Sequence, residues 1–589
     1  MDKVDLATRI ALEHGLENIA KRSKWGQLLD ADGILATQEF FRISRLPRRN
    51  WETDESLHAA TAAVNEWLRK PGGTMQLWPV QAAALIELAT TKGALGQIAV
   101  GKGKSLITLL APVVLAAKRP ILLVPAQLRV QTLEHVIPEM RRHWRLHEGL
   151  RVLGYSELSI AKNKDLLFEL LPDLIVLDEC QAVRNGTAAR TKRLRAYLKE
   201  FPETQVVAVS GSIVKRSVLD YWQLALWALK PDLCPLPNTW REVSDWAAAI
   251  DADVPAEKRR APGALLRFCN DGEEARVGYG RRLTETPGIV ATSTNDLGVS
   301  LILARRKVRV PEKVLAAMAT MRTTWITPYG DEITEAIDLW RHMRELACGF
   351  YYRWDPAPPA AWLTARREWK QLVRATLAFN RKGLDSELLV ARWYAEQAKK
   401  GQGVKETKEN VAIWEAWQVI KDSFEPNSVP YWLDDFAVRD AHAWLKQYEG
   451  IVWTEHVAFA KELAEYSGAP YFGAGMEASR DILTARGPII ASVAAHGEGK
   501  NLQQWSHNLI TAPSSSGKTW EQVIGRTHRM GQLADEDYFD IWLHAAELEA
   551  SFERARSDAA YIEQTTGARQ KLCYADIVLA PGGGSDVVG

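Results

Sequence analysis

Between about residues 71 and 235, four short apolar runs (QIAV, PILLVPA, DLIVLDE and TQVVAVS) are separated by stretches with helical spacing. Strands that are apolar along their whole length must be covered on both faces. The segments connecting them are the available cover, so the alternation predicts a parallel sheet wound with helices. The pattern resumes beyond residue 446 in GIVWTE, GPIIASVA and HNLITAP. A chain of 589 residues exceeds what one hydrophobic core supports. The expected fold class is α/β with two tandem lobes. An N-terminal helical accessory region covers 1–70, the first lobe 71–300, a helical insertion 301–445, the second lobe 446–570 and a C-terminal tail 571–589. The insertion is read from segments such as PAAWLTARREWKQLVRATLAF, with apolar positions three and four apart. The tail ends in PGGGSDVVG, which reads as flexible.

Composition narrows the class. Hydrophobic residues make up 47% and charged residues 25%, the balance of packed, water-soluble domains. No apolar run approaches the ~18 residues of a membrane span, and MDKVDLATRI carries acids where a secretory signal is apolar, so a cytoplasmic protein without membrane contact is expected. Cys180, Cys234, Cys269, Cys348 and Cys573 show no C-x-x-C pair, which predicts reduced, mostly buried thiols and no zinc. Net charge is only +1, so any polyanion partner must meet a locally basic surface. The 23 tryptophans are read as core and helix-packing residues.

The stretch QIAVGKGKSLITLL sets Gly101, Lys102, Gly103, Lys104 and Ser105 between a strand-like and a helix-like run. Glycines there let backbone N–H groups turn inward around phosphate oxygens. The helix N-terminus adds partial positive charge, and a lysine reaches the β- and γ-phosphates. Ser105 is the expected Mg²⁺ ligand of an ATP site. The strict phosphate-loop pattern asks for glycine where Ile98 stands. APSSSGKTW offers a second Gly-Lys-Thr at 517–519, but only Lys104 is followed, some seventy residues on, by an apolar run ending in acids, LIVLDEC. There Asp178 is expected to position Mg²⁺, mostly through water, and Glu179 to polarise the attacking water, both at the carboxyl end of a buried parallel strand.

These segments, taken in order, resemble superfamily 2 helicases, specifically the Swi/Snf-like branch of translocases. LWPVQAAAL resembles the family's upstream motif and offers Gln81 for an adenine edge. VGKGKS resembles motif I, DECQAVRNGTAARTKRL motif II, and Ser210, Gly211 and Ser212 the motif III triplet. IIASVAAHGEGKNLQQW resembles motif V, and EQVIGRTHRMGQ is close to motif VI, where Gln522, Arg526 and Arg529 share a helical face at spacings of four and three. The chain departs from the family pattern at Cys180, Gln181, Ile213, His496 and Lys500.

The resemblance implies RecA-like lobes that bind ATP between them, with Arg526 and Arg529 as arginine fingers and the helical insertion between motifs III and IV. It further implies nucleic acid, duplex DNA foremost, held through phosphates near Gln127, Arg129, Ser156, Thr454, Lys500 and Asn501. Residues 1–70 or the insertion are the places for a protein partner. A translocase is favoured over a strand-separating helicase. The alternatives are a nucleic-acid-binding or assembly module with weak ATPase, and the motor subunit of a nuclease or restriction system.

Overall fold

The structure is a computed structural model describing residues 33–51, 57–99, 101–211, 213–214, 216–292, 299–330, 333, 336–378, 384, 386–400, 405–425 and 427–579. Ser212, the first half of the expected accessory region and the PGGGSDVVG tail lie outside these. The chain is α/β, with two sheets of parallel strands flanked by helices, and it divides into two compact units.

The first unit is built on β1 (Ala94–Gln97), β2 (Pro120–Val124), β3 (Arg151–Gly154), β4 (Leu174–Asp178), β5 (Gln205–Ser210) and β6 (Ile289–Ala291). They pair in parallel in the order β3-β2-β4-β5-β1-β6. Burial along β2 and the apolar part of β4 is unbroken, as two-sided helix cover requires. Neighbouring strands lie about 4.8 Å apart, so this order brings the carboxyl ends of β1, β5 and β4 side by side. The unit begins earlier than the expected boundary at 71. Phe40, Phe41 and Ile43 of the helix Gln38–Ser44 are buried in the same core as Ile175 and Val206. Arg49 and the Trp51 indole N–H both reach the buried Glu87 carboxylate at 2.9 Å. Residues 558–570, placed by sequence in the second lobe, also belong here: the Tyr561 hydroxyl donates to Asp251 at 2.6 Å.

The second unit opens with β7 (Ser300–Arg306). A two-stranded antiparallel hairpin, β8 (Phe350–Trp354) and β9 (Ser428–Trp432), follows, and then β10 (Ile451–Thr454), β11 (Tyr471–Phe472), β12 (Ile489–Ser492), β13 (His507–Ile510), β14 (Glu536–Trp542) and β15 (Asp576–Leu579). The main sheet runs β11-β12-β10-β13-β14-β7-β15. Two expected boundaries therefore move. β7 and the helices Glu312–Thr324 and Ala336–Leu346 are part of this unit and not of a separate insertion, with Val314, Met318 and Met343 in one core with Val452, Ile490 and Trp542. β15 shows that the segment after 571 is an edge strand before it is a tail. The part that stands apart is carried between β8 and β9. Its helices, Ala360–Ala378, Glu387–Lys400 and Lys405–Ile420, bury Trp369, Leu372, Val373, Val390 and Tyr394 among themselves.

No helix among the described residues is long and apolar enough to cross a membrane. Cys180, Cys234 and Cys348 are buried, Cys269 is half-buried and Cys573 is exposed, and none is in a disulfide.

Candidate active site

The loop after β1 turns through left-handed backbone at Gly101 (φ 88°) and Gly103 (φ 73°) before the helix Lys104–Val114 begins. Gly103 answers two demands at once. Its φ disfavours a side chain, and a Cβ there would lie 2.0 Å from the Gln81 amide nitrogen. Gln81 is buried, with its Oε1 accepting from the Trp78 N–H (2.8 Å) and its Nε2 donating to the Gly103 carbonyl (3.1 Å). The sequence expectation gave this amide to an adenine edge. In the structure it closes the first turn of the helix Pro79–Thr91 and props the loop from beneath. On the other side of the loop, the Ala99 N–H donates to Thr292 Oγ1 at 3.2 Å, a support nothing in the sequence signalled.

Lys104 and Ser105 occupy the first helical turn, where backbone N–H groups lack helical acceptors. Ser105 is exposed and Lys102 half-buried. Lys104 Nζ lies 2.6 Å from Glu179 Oε1, an ion pair with both side chains largely covered. Glu179 Oε2 receives Gln181 Nε2 at 2.8 Å and the Ser210 hydroxyl at 3.0 Å. Residues from the ends of β1, β4 and β5 thus converge on one carboxylate. Glu179 is itself left-handed (φ 51°), a sharp turn that lifts its side chain from the end of β4, with its N–H held by Asp178 Oδ1 at 3.1 Å. The Tyr155 hydroxyl fixes the Asp178 carbonyl at 2.8 Å, and burial pushes that phenol well above its usual pKa, so it stays a donor. Gln181, which sequence reasoning gave no role, is a hydrogen-bond donor to the acid.

The second Gly-Lys sits differently. Gly517 and Lys518 begin the helix Gly517–Thr527, capped by Ser516 through the Thr519 N–H, and Lys518 Nζ faces Glu498 at 3.3 Å. On this helix Gln522 lines a cleft of about 430 Å³ shared with Glu455, Gly497, Glu498 and Thr519. Arg526, expected to project, is 4% exposed. Its Nε donates to the Gln522 carbonyl (2.7 Å) and its Nη1 to the Lys500 carbonyl (3.0 Å), while Arg529 Nη1 reaches the same carbonyl at 3.2 Å. Burial lowers the Arg529 pKa. Behind the helix a buried polar chain runs from Trp453 Nε1 to Asn508 to Asp537, and Thr527 Oγ1 donates to Asp537 at 2.7 Å.

The expected nucleic-acid contacts divide. Gln127 and Ser156 are exposed near the ends of β2 and β3, and Asn501 is exposed in the second unit. Arg129 is half-exposed but engaged, donating to the Val152 carbonyl at 3.2 Å and pairing with Glu157 at 3.3 Å. Thr454 and Lys500 are buried, against the exposure expected of them. Thr454 is 2% exposed, and its hydroxyl accepts from the His456 N–H. Lys500 is 4% exposed, with Nζ donating to the Ser479 carbonyl at 2.9 Å and to the Ser479 hydroxyl, within the helix Met476–Thr484. Neither burial was legible from the residue's place near a predicted loop.

Among the described residues no group of three or more His, Cys, Asp or Glu side chains is gathered for a metal. A magnesium ion held mostly by water, nucleotide and one or two protein oxygens does not need such a group. Comparison with protein-family models gives no match, and comparison with curated proteins gives none.

Proposed function

We propose that this chain is a nucleic-acid-stimulated ATPase, a motor of the superfamily 2 helicase and translocase type built on two RecA-like lobes, with duplex DNA as its track. The observation that carries the reading is the meeting of Lys104 and Glu179 at 2.6 Å above a glycine loop whose φ values and crowding at Gly103 exclude other residues. A lysine at a helix start beside a strand-end glutamate is what γ-phosphate hydrolysis asks of a protein: one group to hold the phosphate, another to orient water.

ATP fits the residues present. The loop amides and Lys104 would hold its phosphates, and Ser105 and Asp178 would hold Mg²⁺, which supplies charge neutralisation at the β- and γ-oxygens. On phosphate binding, Lys104 exchanges Glu179 for the nucleotide, and Glu179, still oriented by Gln181 and Ser210, accepts a hydrogen bond from the attacking water. The motif VI resemblance gives Arg526 and Arg529 the role of arginine fingers, which each could serve only by leaving the Lys500 carbonyl. Removing such an arginine costs ~10³-fold or more in turnover.

The test is steady-state ATP hydrolysis by the wild type and Glu179→Gln, alone and with duplex DNA, single-stranded DNA or RNA at one salt concentration. Stimulation by one polymer, absent in the mutant, is expected. Binding of nucleic acid without stimulated turnover would instead favour an assembly module with weak ATPase, a reading to which the burial of Arg526 lends weight.

A further inference from the structure

The helix Ala360–Ala378 carries a charge pattern that the proposed motor chemistry does not use. Trp362, Ala365, Trp369, Leu372, Val373 and Thr376 are its buried face. At 3.6 residues per turn, Arg366, Arg367, Lys370 and Arg374 fall within about 100° of arc on the exposed side, which begins beside the buried Val373. No acid shares that arc; Glu368, the helix's one carboxylate, sits on the far shoulder. In a chain whose net charge is +1, such segregation is local and one-signed. The cations span about two turns, roughly 12 Å along the axis.

Their settings differ in a useful way. Arg366 is held in place over the rings of Trp354 (5.8 Å) and Trp362 (5.4 Å), which fixes its position and leaves its N–H fork unspent. Lys370 meets Glu387 at 2.9 Å, with both side chains nearly half exposed, a pair that a stronger anion can exchange. No carboxylate among the described residues pairs with Arg367 or Arg374.

We infer that this face of the helical arm is a second nucleic-acid contact, taking the phosphate backbone of duplex DNA without regard to sequence. The inference rests on the motor reading for the identity of the polyanion. A row of planar, always-charged forks at helical spacing suits successive phosphates, and an arm anchored on its own hairpin adds phosphate contacts while leaving the ATP site untouched. An acidic protein surface is the competing occupant.

The experiment measures binding of a mixed-sequence DNA duplex by the full chain and by R367E/R374E between about 50 and 200 mM salt, alongside ATP hydrolysis with and without the duplex. Both side chains are exposed, and glutamate keeps helix propensity, so the fold should hold. The expected result is a slope of log affinity against log salt shallower by about two, a wild-type loss over that range about tenfold greater than the variant's, and unchanged hydrolysis in the absence of DNA. R367Q/R374Q should give the same slope with a smaller loss at low salt. Equal affinity and slope in wild type and variants, with the wild type still stimulated by DNA, would overturn the arm contact alone. A wild type that neither binds duplex nor is stimulated by it would remove the motor reading and this inference together.

Discussion

Lys571 and Glu521 form an ion pair closed off from water: Nζ lies 2.6 Å from Oε1, the Lys571 N–H donates to Oε2 at 2.8 Å, and both side chains are 2% exposed. Glu521 is one residue before Gln522 on the helix that bears Arg526, so the segment after 570 fixes that helix through a single buried charge pair. Removing one partner strands the other. Lys571→Met should destabilise the second unit by about 3–5 kcal/mol, whereas Lys571→Met with Glu521→Leu should recover most of the loss. Chemical denaturation followed by tryptophan fluorescence reads both, and equal destabilisation of the single and double variants would contradict the pair's role.

The two Gly-Lys sites give a paired prediction about nucleotide. Lys104→Ala should weaken ATP binding at least tenfold, because the ammonium now paired with Glu179 is the group proposed to hold the phosphates. Lys518→Ala removes only a partly covered contact with Glu498 and should leave ATP affinity within about twofold. Titration with a fluorescent ATP analogue separates them. The reverse ranking would transfer the phosphate site to the second unit.

As through His456, whose pKa burial likewise lowers, acid should act in part through His528. Burial, aided by the nearby Lys571 charge, pushes its pKa down to about 4 against the pull of the Val299 carbonyl and Glu521; the Tyr574 ring is its other neighbour. In the unfolded chain a histidine titrates near 6.5. Between those values the unfolded state takes up a proton that the folded state refuses. The contribution is therefore intact above about 6.5 and is lost progressively as pH falls toward 4. His528→Asn should flatten the fall in stability over that window relative to wild type, measured by denaturation midpoints at successive pH values. A parallel fall in the two would dismiss His528 as a contributor. Asp537, raised by burial, works in the opposite direction and is common to both proteins.

The strands and the phosphate loop were legible because their signals are local. Apolar runs such as LIVLD specify two-sided burial by themselves, and the turn at Gly101–Gly103 declares its backbone in its residue types. The meeting of Glu179 with Lys104 followed from two such signals in order. What escaped were relationships over long separations. Nothing around SLILARR distinguishes a strand paired with residues beyond 536 from one inside an insertion, so β7 went to the wrong segment. Thr454 closes β10 and Lys500 lies in the loop before β13, positions where exposure is the rule, and contacts with Ser479 and the turn at His456 engage them. Gln81 was assigned by its place in a motif, while its actual partner, the Gly103 carbonyl, depends on how closely the loop approaches.

β7 has a temporal consequence. Its two neighbours in the sheet are β14 and β15, so a ribosome releases an apolar strand long before either partner exists. Until residue 542 emerges, SLILARR is an unpaired edge, open to pairing with another copy of itself. The hairpin arm, whose contacts are local, can fold in that interval; the sheet that carries it must wait. Synthesis therefore leaves the second unit as a half-built platform for more than a third of translation, and this is the stage at which a holding chaperone has something to hold.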